Sequence, residues 1–540
     1  MTRLASPALH LVVDRLVIGT RRLFGWGWAA DAAQPVRSVR LHAAGDGWEK
    51  TIPAGFGLSR DDVAAEHPQL VGGAACGFVV TGFIPGPPTR LLLEVELADG
   101  SREERDIAER AESLPAKGRK GRQLAWVLRA VWRRLRHGDL AGIVRRATSQ
   151  RYAGPSVDDM TIVPRLLPAL KACRGVCVMF DHNMGGGANQ YRRLMIAERL
   201  AKGQAVLLCT YNLPALEYRL HLMRPGEEEQ AFSASSFLVL EALLEEAPVD
   251  EMFVNSPVSF DEPLVLAEWL ARTRADFPGI RLTVTAHDYY CVCPSFVLLD
   301  ADGRYCGIPE ISKCHGCLKR HPASYVALTP PSDMGAWRAL WGRCLAAADE
   351  VRCFSESTRE HLLRAYPALD RGRITVVPHK VDFQPARLPQ VARGGPLVIG
   401  VVGEISAQKG ALVLSEMLDR IDRELPEVRL VVIGTLDVAH KSPRLTVTGR
   451  YRREDLVGLV ESHGINMLFF PSIWPETFSY VVAEMMQLGL PIVAFDLGAP
   501  AERLRAYPNA RLCREVSAQA ALAMLLDFHR SLAEGEARVA

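Results

Sequence analysis

Two carboxylates bracket one apolar stretch, Glu476 and Glu484 in "ETFSYVVAE". A helix that only packs needs neither acid at those points. Glu476 falls in the loop after the apolar run "NMLFF", which reads as a strand, and so at that strand's carboxyl end. The peptides of Thr477, Phe478, Ser479 and Tyr480 are expected to form the first helical turn, whose N–H groups have no intrahelical partner. Such a turn suits a phosphate. Glu476 beside it would repel a bare anion, yet carboxylates accept hydrogen bonds strongly from hydroxyls. The pair therefore fits a ligand with an anionic middle and hydroxyl-rich ends, with Glu484 reaching the second set of hydroxyls. A nucleotide sugar has that layout of sugar, diphosphate and ribose.

A second group is metal-like. Cys291, Cys293, Cys306, Cys314 and Cys317 fall within 27 residues. The "CHGC" pair has the C-x2-C spacing of a zinc knuckle. Cys293, Cys306, Cys314 and Cys317 would make a tetrahedral structural zinc site, with Cys291 or His315 as substitutes. Reduced thiols and a disulfide are the competing readings. A zinc there would pin a long insertion next to His287.

These groups need a scaffold, and the chain supplies three textures. Residues 1–110 read as short strands with Gly/Asp turns such as "AGDG", the pattern of an accessory β-sandwich. Trp26, Trp28 and Trp48 fit either a sugar-stacking platform or buried core aromatics. Residues 111–156 form a basic linker. Within 117–151 there are 11 Lys or Arg and a single acid, Asp139. Leu124, Val127, Leu128, Val131, Trp132 and Leu135 recur at helical spacing. That basic amphipathic helix fits an anionic membrane surface or a docked linker.

From residue 157 onward, Val/Ile/Leu runs such as "GVCVMFDH", "AVLLCT", "PLVIGVVGE" and "VRLVVIG" alternate with helical patterns. Near-continuous apolar strands are what a parallel sheet covered on both faces requires. The expected fold is α/β, with two doubly wound Rossmann-like domains facing a cleft. The boundaries are 157–385, with a Cys-rich insertion at 289–325, and 386–540, after the Pro/Gly-rich break "DFQPARLPQVARGGP". In such sheets ligands bind beyond the carboxyl ends of the strands.

Composition limits the partners. A net charge of +2 over 540 residues excludes a general polyanion binder, and no nucleic acid is expected. No apolar run reaches the roughly 18 residues needed to span a bilayer. The opening "MTRLASPALHLVVDRLVIG" is broken by Asp14 and Arg15 and lacks a signal-peptide pattern. A reducing, cytoplasmic location is expected.

"ETFSYVVAE" resembles the E-x7-E motif of retaining GT-B glycosyltransferases, the glycosyl transferases group 1 (family 4), and the likeness runs over roughly 175–515. It implies that Glu476 holds hydroxyls of the transferred sugar and Glu484 those of the ribose. The amides near Phe478 and Ser479 would meet the diphosphate or the sugar. "GVVGEISAQKG" is similar to the family's "GRxxxxKG", which gives Gly403 and Lys409 to the donor diphosphate. Glu404 stands where the family has Arg, which removes one phosphate contact. "MGGGANQYRRLMIAERL" resembles the family's Gly-rich loop, so Gly185, Gly186 and Gly187 would admit donor and acceptor closely. "VTAHDYY" places His287 where the family has a His near the reacting sugar. "VVPHKVDF" is similar to the hinge "xxPNGVD", with His379 and Lys380 in place of Asn and Gly.

The resemblance further implies retention of configuration and no catalytic metal. The acceptor would be a glycan or lipid-linked glycan in bacterial surface-polysaccharide synthesis of the O-antigen type. The enzyme would then be peripheral on the inner membrane face. Two other classes fit the same architecture, a degenerate transferase serving as a glycan-binding scaffold and a nucleotide-sugar epimerase.

Overall fold

The structure is a computed structural model that describes residues 8–19, 21–58, 60–113, 157–321, 332–392, 395–438 and 440–539. The basic segment 117–151 lies outside the described residues. The chain forms two compact units. One holds residues 1–284 and 322–349, the other residues 285–321 and 350–540.

The first unit begins with nine strands. They are β1 (Leu9–Ile18), β2 (Arg22–Asp31), β3 (Val36–Gly45), β4 (Trp48–Pro53), β5 (Gly55–Leu58), β6 (Gly77–Phe83), β7 (Arg90–Leu97), β8 (Arg102–Asp106) and β9 (Ala111–Ser113). They make two sheets, ordered β5-β6-β2-β1-β9 and β4-β3-β7-β8. Alternation explains the packing. In β3, Val39, Leu41 and Ala43 are buried while Arg40 and His42 are not. Leu16, Leu23, Phe78 and Val80 of one sheet share a core with Val39, Leu41, Leu93 and Val95 of the other. Each such side chain contributes about 1.5–3 kcal/mol by leaving water. The three tryptophans separate. Trp28 packs in a small cluster with Val63, Leu70 and Cys76. Trp48 packs against the main core. Trp26 lines a groove with Phe24, Leu58 and Arg60.

The remainder of this unit carries β10 (Val176–Asp181), β11 (Ala205–Asn212), β12 (Glu217–Met223), β13 (Gln230–Ala234), β14 (Val249–Ser256) and β15 (Arg281–Thr285). They hydrogen-bond in the order β13-β12-β11-β10-β14-β15. β10 is parallel to β11 and β14, and every residue of β10 is buried. β12 and β13 extend the sheet antiparallel, which the sequence reading missed. β12 alternates buried and half-buried positions, the mark of a sheet margin rather than of a doubly covered strand. The Arg22 guanidinium donates to the Ser259 carbonyl at 3.0 Å and lies over Phe83 and Tyr211, which ties the nine-strand region to the rest of its unit.

The second unit contains β16 (Glu350–Cys353) and β17 (Ile374–Val376), which pair parallel. A six-stranded parallel sheet follows: β18 (Val398–Ile405), β19 (Arg429–Leu436), β20 (Leu445–Val447), β21 (Met467–Phe470), β22 (Ile492–Phe495) and β23 (Ala510–Cys513). Its order is β20-β19-β18-β21-β22-β23. One face is covered by Leu414, Leu418, Ile421 and Leu525, the other by Val460, Val482, Met485 and Leu504. Strand order reverses between β18 and β21, so a crevice opens beyond their carboxyl ends.

Residues 285–321 and 350–385 group with the six-stranded sheet in the second unit. The contacts give the reason. The helix Glu356–Ala365 packs on the helix Gly498–Leu504, and the Glu502 carboxylate accepts from the amides of Glu356 and Ser357 at 3.1 and 2.8 Å.

Candidate active site

The crevice at the strand-order reversal is built by two loops. The loop after β18 makes a short 3-10 turn, Ala407–Lys409, closed by Gly410 with φ 91°. A Cβ on Gly410 would lie 2.1 Å from the Pro471 carbonyl oxygen, so only glycine lets this turn meet the loop after β21. The Ile473 amide donates to the Gln408 carbonyl at 3.1 Å and joins the two loops. Lys409 and Glu476 are thereby brought together. Gly403, in β18, lies against Val481.

Glu476 is 6% exposed. Its Oε1 accepts from the Ser472 hydroxyl at 2.8 Å, and the Ser479 hydroxyl lies near enough to favour its charged form. Burial pushes its carboxyl above the ordinary value, while the charge of Lys409 and the two hydroxyls pull it back. Its backbone carbonyl accepts from the Ala499 amide at 2.8 Å. Gly498, with φ 59°, packs where a Cβ would come within 2.7 Å of that carbonyl oxygen.

The helix after Glu476 starts later than expected. It spans Tyr480–Gln487, and extended Ser479 is its N-cap, accepting from the Val482 amide. Thr477 and Phe478 therefore lie in the loop, and the expected helical turn from Thr477 is not formed. The reason is local, since a serine side chain competes with the backbone and favours the cap. The side chains of the loop are instead engaged elsewhere. The Thr477 hydroxyl donates to the His287 carbonyl at 2.7 Å. The Phe478 ring stands edge-on to His379 at 4.7 Å, with the Arg503 guanidinium 5.5 Å from its centroid.

The His287 ring stacks on Phe354 at 4.4 Å and on His379 at 5.3 Å. His379 itself stacks on Phe354 at 4.0 Å, and burial lowers its pKa to about 3. An aromatic stack with a neutral imidazole therefore backs the Glu476 loop.

Glu484, 3% exposed, forms an ion pair with Arg453 at 2.7 Å. Burial raises its carboxyl, and Arg453 opposes that. Tyr451 feels Glu484 and Glu404, and burial pushes its hydroxyl up to about 12. Asp437 feels both Glu404 and Lys409. Arg453, Tyr451, Asp437 and Ser472 were not foreseen. Arg453 had a signal, since a buried helical acid requires a cation nearby, but its place 31 positions earlier gives no periodic cue.

Gly186 and Gly187 belong to the first unit, where they open the helix Gly186–Ala201 beyond the end of β10. Beside them Asp181 is fully buried, 3.1 Å from the Arg192 guanidinium and 2.9 Å from the Asn189 amide nitrogen. Burial pushes the Asp181 carboxyl up to about 7.

All twelve cysteines are thiols. Cys293, Cys306, Cys314 and Cys317 share one neighbourhood in the second unit, and Cys306 feels the other three electrostatically. Among the described residues, the one group of three or more acid, His or Cys ligand atoms within 4.8 Å of one another is His42, Glu94 and Glu104. Glu94 there is paired with Arg40 at 2.7 Å, with Arg102 at 3.8 Å, and so already has cations.

Chemically, the second unit offers a buried carboxylate able to accept from hydroxyls, a lysine beside it, and a second carboxylate held by an arginine. Among the described residues no helix is long and apolar enough to cross a membrane.

Comparison with known proteins adds the following. No curated protein matches the chain in sequence. Among solved structures, it is similar to sucrose-phosphate synthase from Thermosynechococcus elongatus, at 15% identity over 66% of this chain and 91% of that one, with a TM-score of 0.42. It is also similar to the lipopolysaccharide outer core galactosyltransferase WaaB, at 11% identity over 65% and 90%, TM-score 0.38. Anabaena Alr3699/HepE, in complex with UDP and glucose, matches at 13% identity over 67% and 99%, TM-score 0.38. The family described as Glycosyl transferases group 1 matches residues 383–531. That matched segment holds Gly403, Lys409, Arg453, Glu476, Phe478, Ser479 and Glu484, so the polar site of the second unit lies in the part of the chain similar to the glycosyl transferases group 1.

Proposed function

We propose that the protein is a glycosyltransferase that moves a sugar from a nucleotide-sugar donor to a glycan or lipid-linked glycan acceptor, with retention of configuration. The observation that carries this reading is the Glu476–Lys409 pair at the strand-order reversal, inside the segment that matches the family.

The chemistry follows from charge. Breaking the bond from the anomeric carbon to phosphate leaves a sugar of oxocarbenium character and a departing diphosphate. Lys409 sits beside Glu476 to neutralise the leaving oxygens as charge develops. Glu476 accepts from sugar hydroxyls and orients the ring. The acceptor hydroxyl attacks from the leaving-group face, and its proton passes to the departing phosphate. His287 shapes the sugar's position and need not take a proton. Glu484 serves the ribose, whose hydroxyls share the carboxylate with Arg453 or displace it. The biological setting we favour is bacterial surface-polysaccharide synthesis in the cytoplasm, at the inner membrane face.

One observation favours a second reading, a glycan-binding protein without turnover. Arg453 occupies Glu484, and Glu404 stands where the resemblance expects a phosphate-binding Arg. A panel of UDP-, GDP-, ADP- and dTDP-sugars separates the two. A donor should raise the melting temperature by mass action and be slowly hydrolysed, with hydrolysis lost in Lys409→Ala. Binding without any turnover, alone or with glycan acceptors, would support the second reading. No binding by any donor would overturn the transferase reading.

A further inference from the structure

The first unit has a strand-order reversal of its own. β11 lies on one side of β10 and β14 on the other, so a crevice opens beyond the carboxyl ends of β10 and β14. His182 is the first residue past β10. Three hydrogen bonds fix its backbone. The His182 amide donates to Asp181 Oδ1 at 2.9 Å, and its carbonyl accepts from the Asn189 side-chain amide and from the Arg192 guanidinium, both at 2.9 Å. The residue is 8% exposed.

The ring has a fixed tautomer. The Met184 amide donates to Nδ1 at 3.1 Å. A backbone N–H can only donate, so Nδ1 is the acceptor and the proton of the neutral imidazole sits on Nε2. Burial, helped by the charge of Arg192, lowers the ring's pKa to about 4 and keeps it neutral at pH 7. Among the described residues the Nε2–H has no hydrogen-bond acceptor, and it is not sealed from water. The fold thus buries nine-tenths of this residue, sets where its proton lies and leaves that one donor open.

The chain beside the ring is rich in donors too. The helix Gly186–Ala201 begins here, and no side chain caps it at Gly185. The Gly185 amide is taken by Asn189 Oδ1 at 2.6 Å. The amides of Gly186, Gly187 and Ala188 are first-turn groups without intrahelical acceptors, at the positive end of a 16-residue helix. A Cβ on Gly185 or Gly186 would meet nothing within 4 Å, so the approach to these amides is open. Asp181, the carboxylate of this network, is fully buried and held by Arg192 at 3.1 Å and Asn189 at 2.9 Å. The donor set that remains open suits an oxyanion.

We propose that His182 is a ligand-binding residue of the first unit, its Nε2–H donating to a phosphate oxygen held over the amides of Gly186, Gly187 and Ala188. The source of the phosphate rests on the transferase reading: the diphosphate of the donor or a phosphate carried by the acceptor.

The test uses the full chain and inorganic pyrophosphate, read by calorimetry. Asparagine can place its side-chain oxygen where Nδ1 stands but reaches no further, whereas glutamine can place its amide nitrogen near Nε2. His182→Asn should keep the Met184 bond and weaken pyrophosphate binding about tenfold or more, as loss of a hydrogen bond to a charged group does. His182→Gln should retain most of the affinity. A residue that only holds the loop predicts the reverse order. That reverse order, equal losses, no loss in either variant, or a wild-type chain that binds no pyrophosphate overturns the proposal. In wild type carrying isotope-labelled histidine, the Nε2 resonance of His182 should move when pyrophosphate is added, and a resonance that stays in place overturns the proposal whether or not the variants fold. The same comparison with UDP, GDP, ADP and dTDP separates the sources. An asparagine loss with a nucleoside diphosphate assigns the phosphate to the donor, and a loss with pyrophosphate alone assigns it to the acceptor. Donor turnover by wild type without the asparagine–glutamine difference removes His182 and leaves the transferase reading standing. The difference without turnover of any donor does the opposite.

Discussion

The Thr477 hydroxyl donates to the His287 carbonyl at 2.7 Å, across 190 positions of sequence. This bond and the one from Tyr289 to Pro475 hold the Glu476 loop from one side. Thr477→Val keeps the shape and removes the donor. Leaving a partly buried carbonyl without it should cost about 1–2 kcal/mol of stability, read as a lower melting temperature. The transfer rate should fall more than donor affinity does, because the loop positions Glu476 rather than supplying most of the binding surface. Equal losses in rate and in affinity would show that the loop's placement is not catalytic.

Glu476 gives a pH signature. Its carboxyl lies above the ordinary 4.5, raised by burial and restrained by Lys409, Ser472 and Ser479. If the ionised form grips the sugar, activity is lost as pH falls through that raised value. Lys409→Met removes the restraining charge, so the acid limb of residual activity should move to higher pH, and Ser472→Ala should move it the same way by less. The stability sign is opposite. A raised carboxyl penalises the fold above its unfolded value near 4.5, and the penalty vanishes in acid. Glu476→Gln should therefore stabilise the protein at pH 7 relative to its effect at pH 4, as differential melts can show.

Arg453 and Glu484 make the next test. Removing the arginine leaves a carboxylate that is almost fully buried. Truncating one partner of a fully buried pair costs about 3–5 kcal/mol, but the Arg453 side chain is 37% exposed and water can enter, so about 1–2 kcal/mol is expected for Arg453→Ala. Glu484→Gln should cost less, since it leaves no buried charge. If the ribose uses Glu484, Arg453→Ala should not weaken nucleotide binding as Glu484→Gln does. Calorimetry with the nucleotide diphosphate decides it, and equal loss in both variants would assign Arg453 to the ligand.

The sequence was legible where one physical rule dominates. The apolar runs from 398 to 495 could only be strands covered on both faces, and the helical patterns expected to alternate with such runs include the helices Gly186–Ala201, Pro263–Asp276 and Ala411–Glu424. It was not legible where rules compete. "ETFSYVVAE" promised a helix from Thr477, but Ser479 caps it and Thr477 bonds away to His287. β12 and β13 were missed because "EYRLHLM" alternates at a sheet margin and shows no continuous apolar run. Pairings such as Lys409 with Glu476, or Arg453 with Glu484, depend on strand order, which spacing alone does not carry.

His379 offers the last test. Its ring stacks on Phe354 at 4.0 Å and lies 5.3 Å from His287, with Phe478 edge-on at 4.7 Å. Burial lowers its pKa from 6.5 to about 3. The folded protein therefore keeps the ring neutral while the unfolded chain takes a proton below 6.5. The stability held above 6.5 is lost as pH falls toward about 3, at about 1.4 kcal/mol per pH unit. Between pH 7 and pH 5 the loss from this residue alone should be about 2 kcal/mol. His379→Phe preserves an aromatic ring in the stack and removes the proton. Its melting temperature should decline less steeply than that of wild type between pH 7 and pH 5, and donor binding at pH 7 should survive, since the neutral ring is what the stack holds. Parallel declines in the two proteins would mean that the acid sensitivity lies elsewhere, and that His379 is more open to water than its neighbours allow.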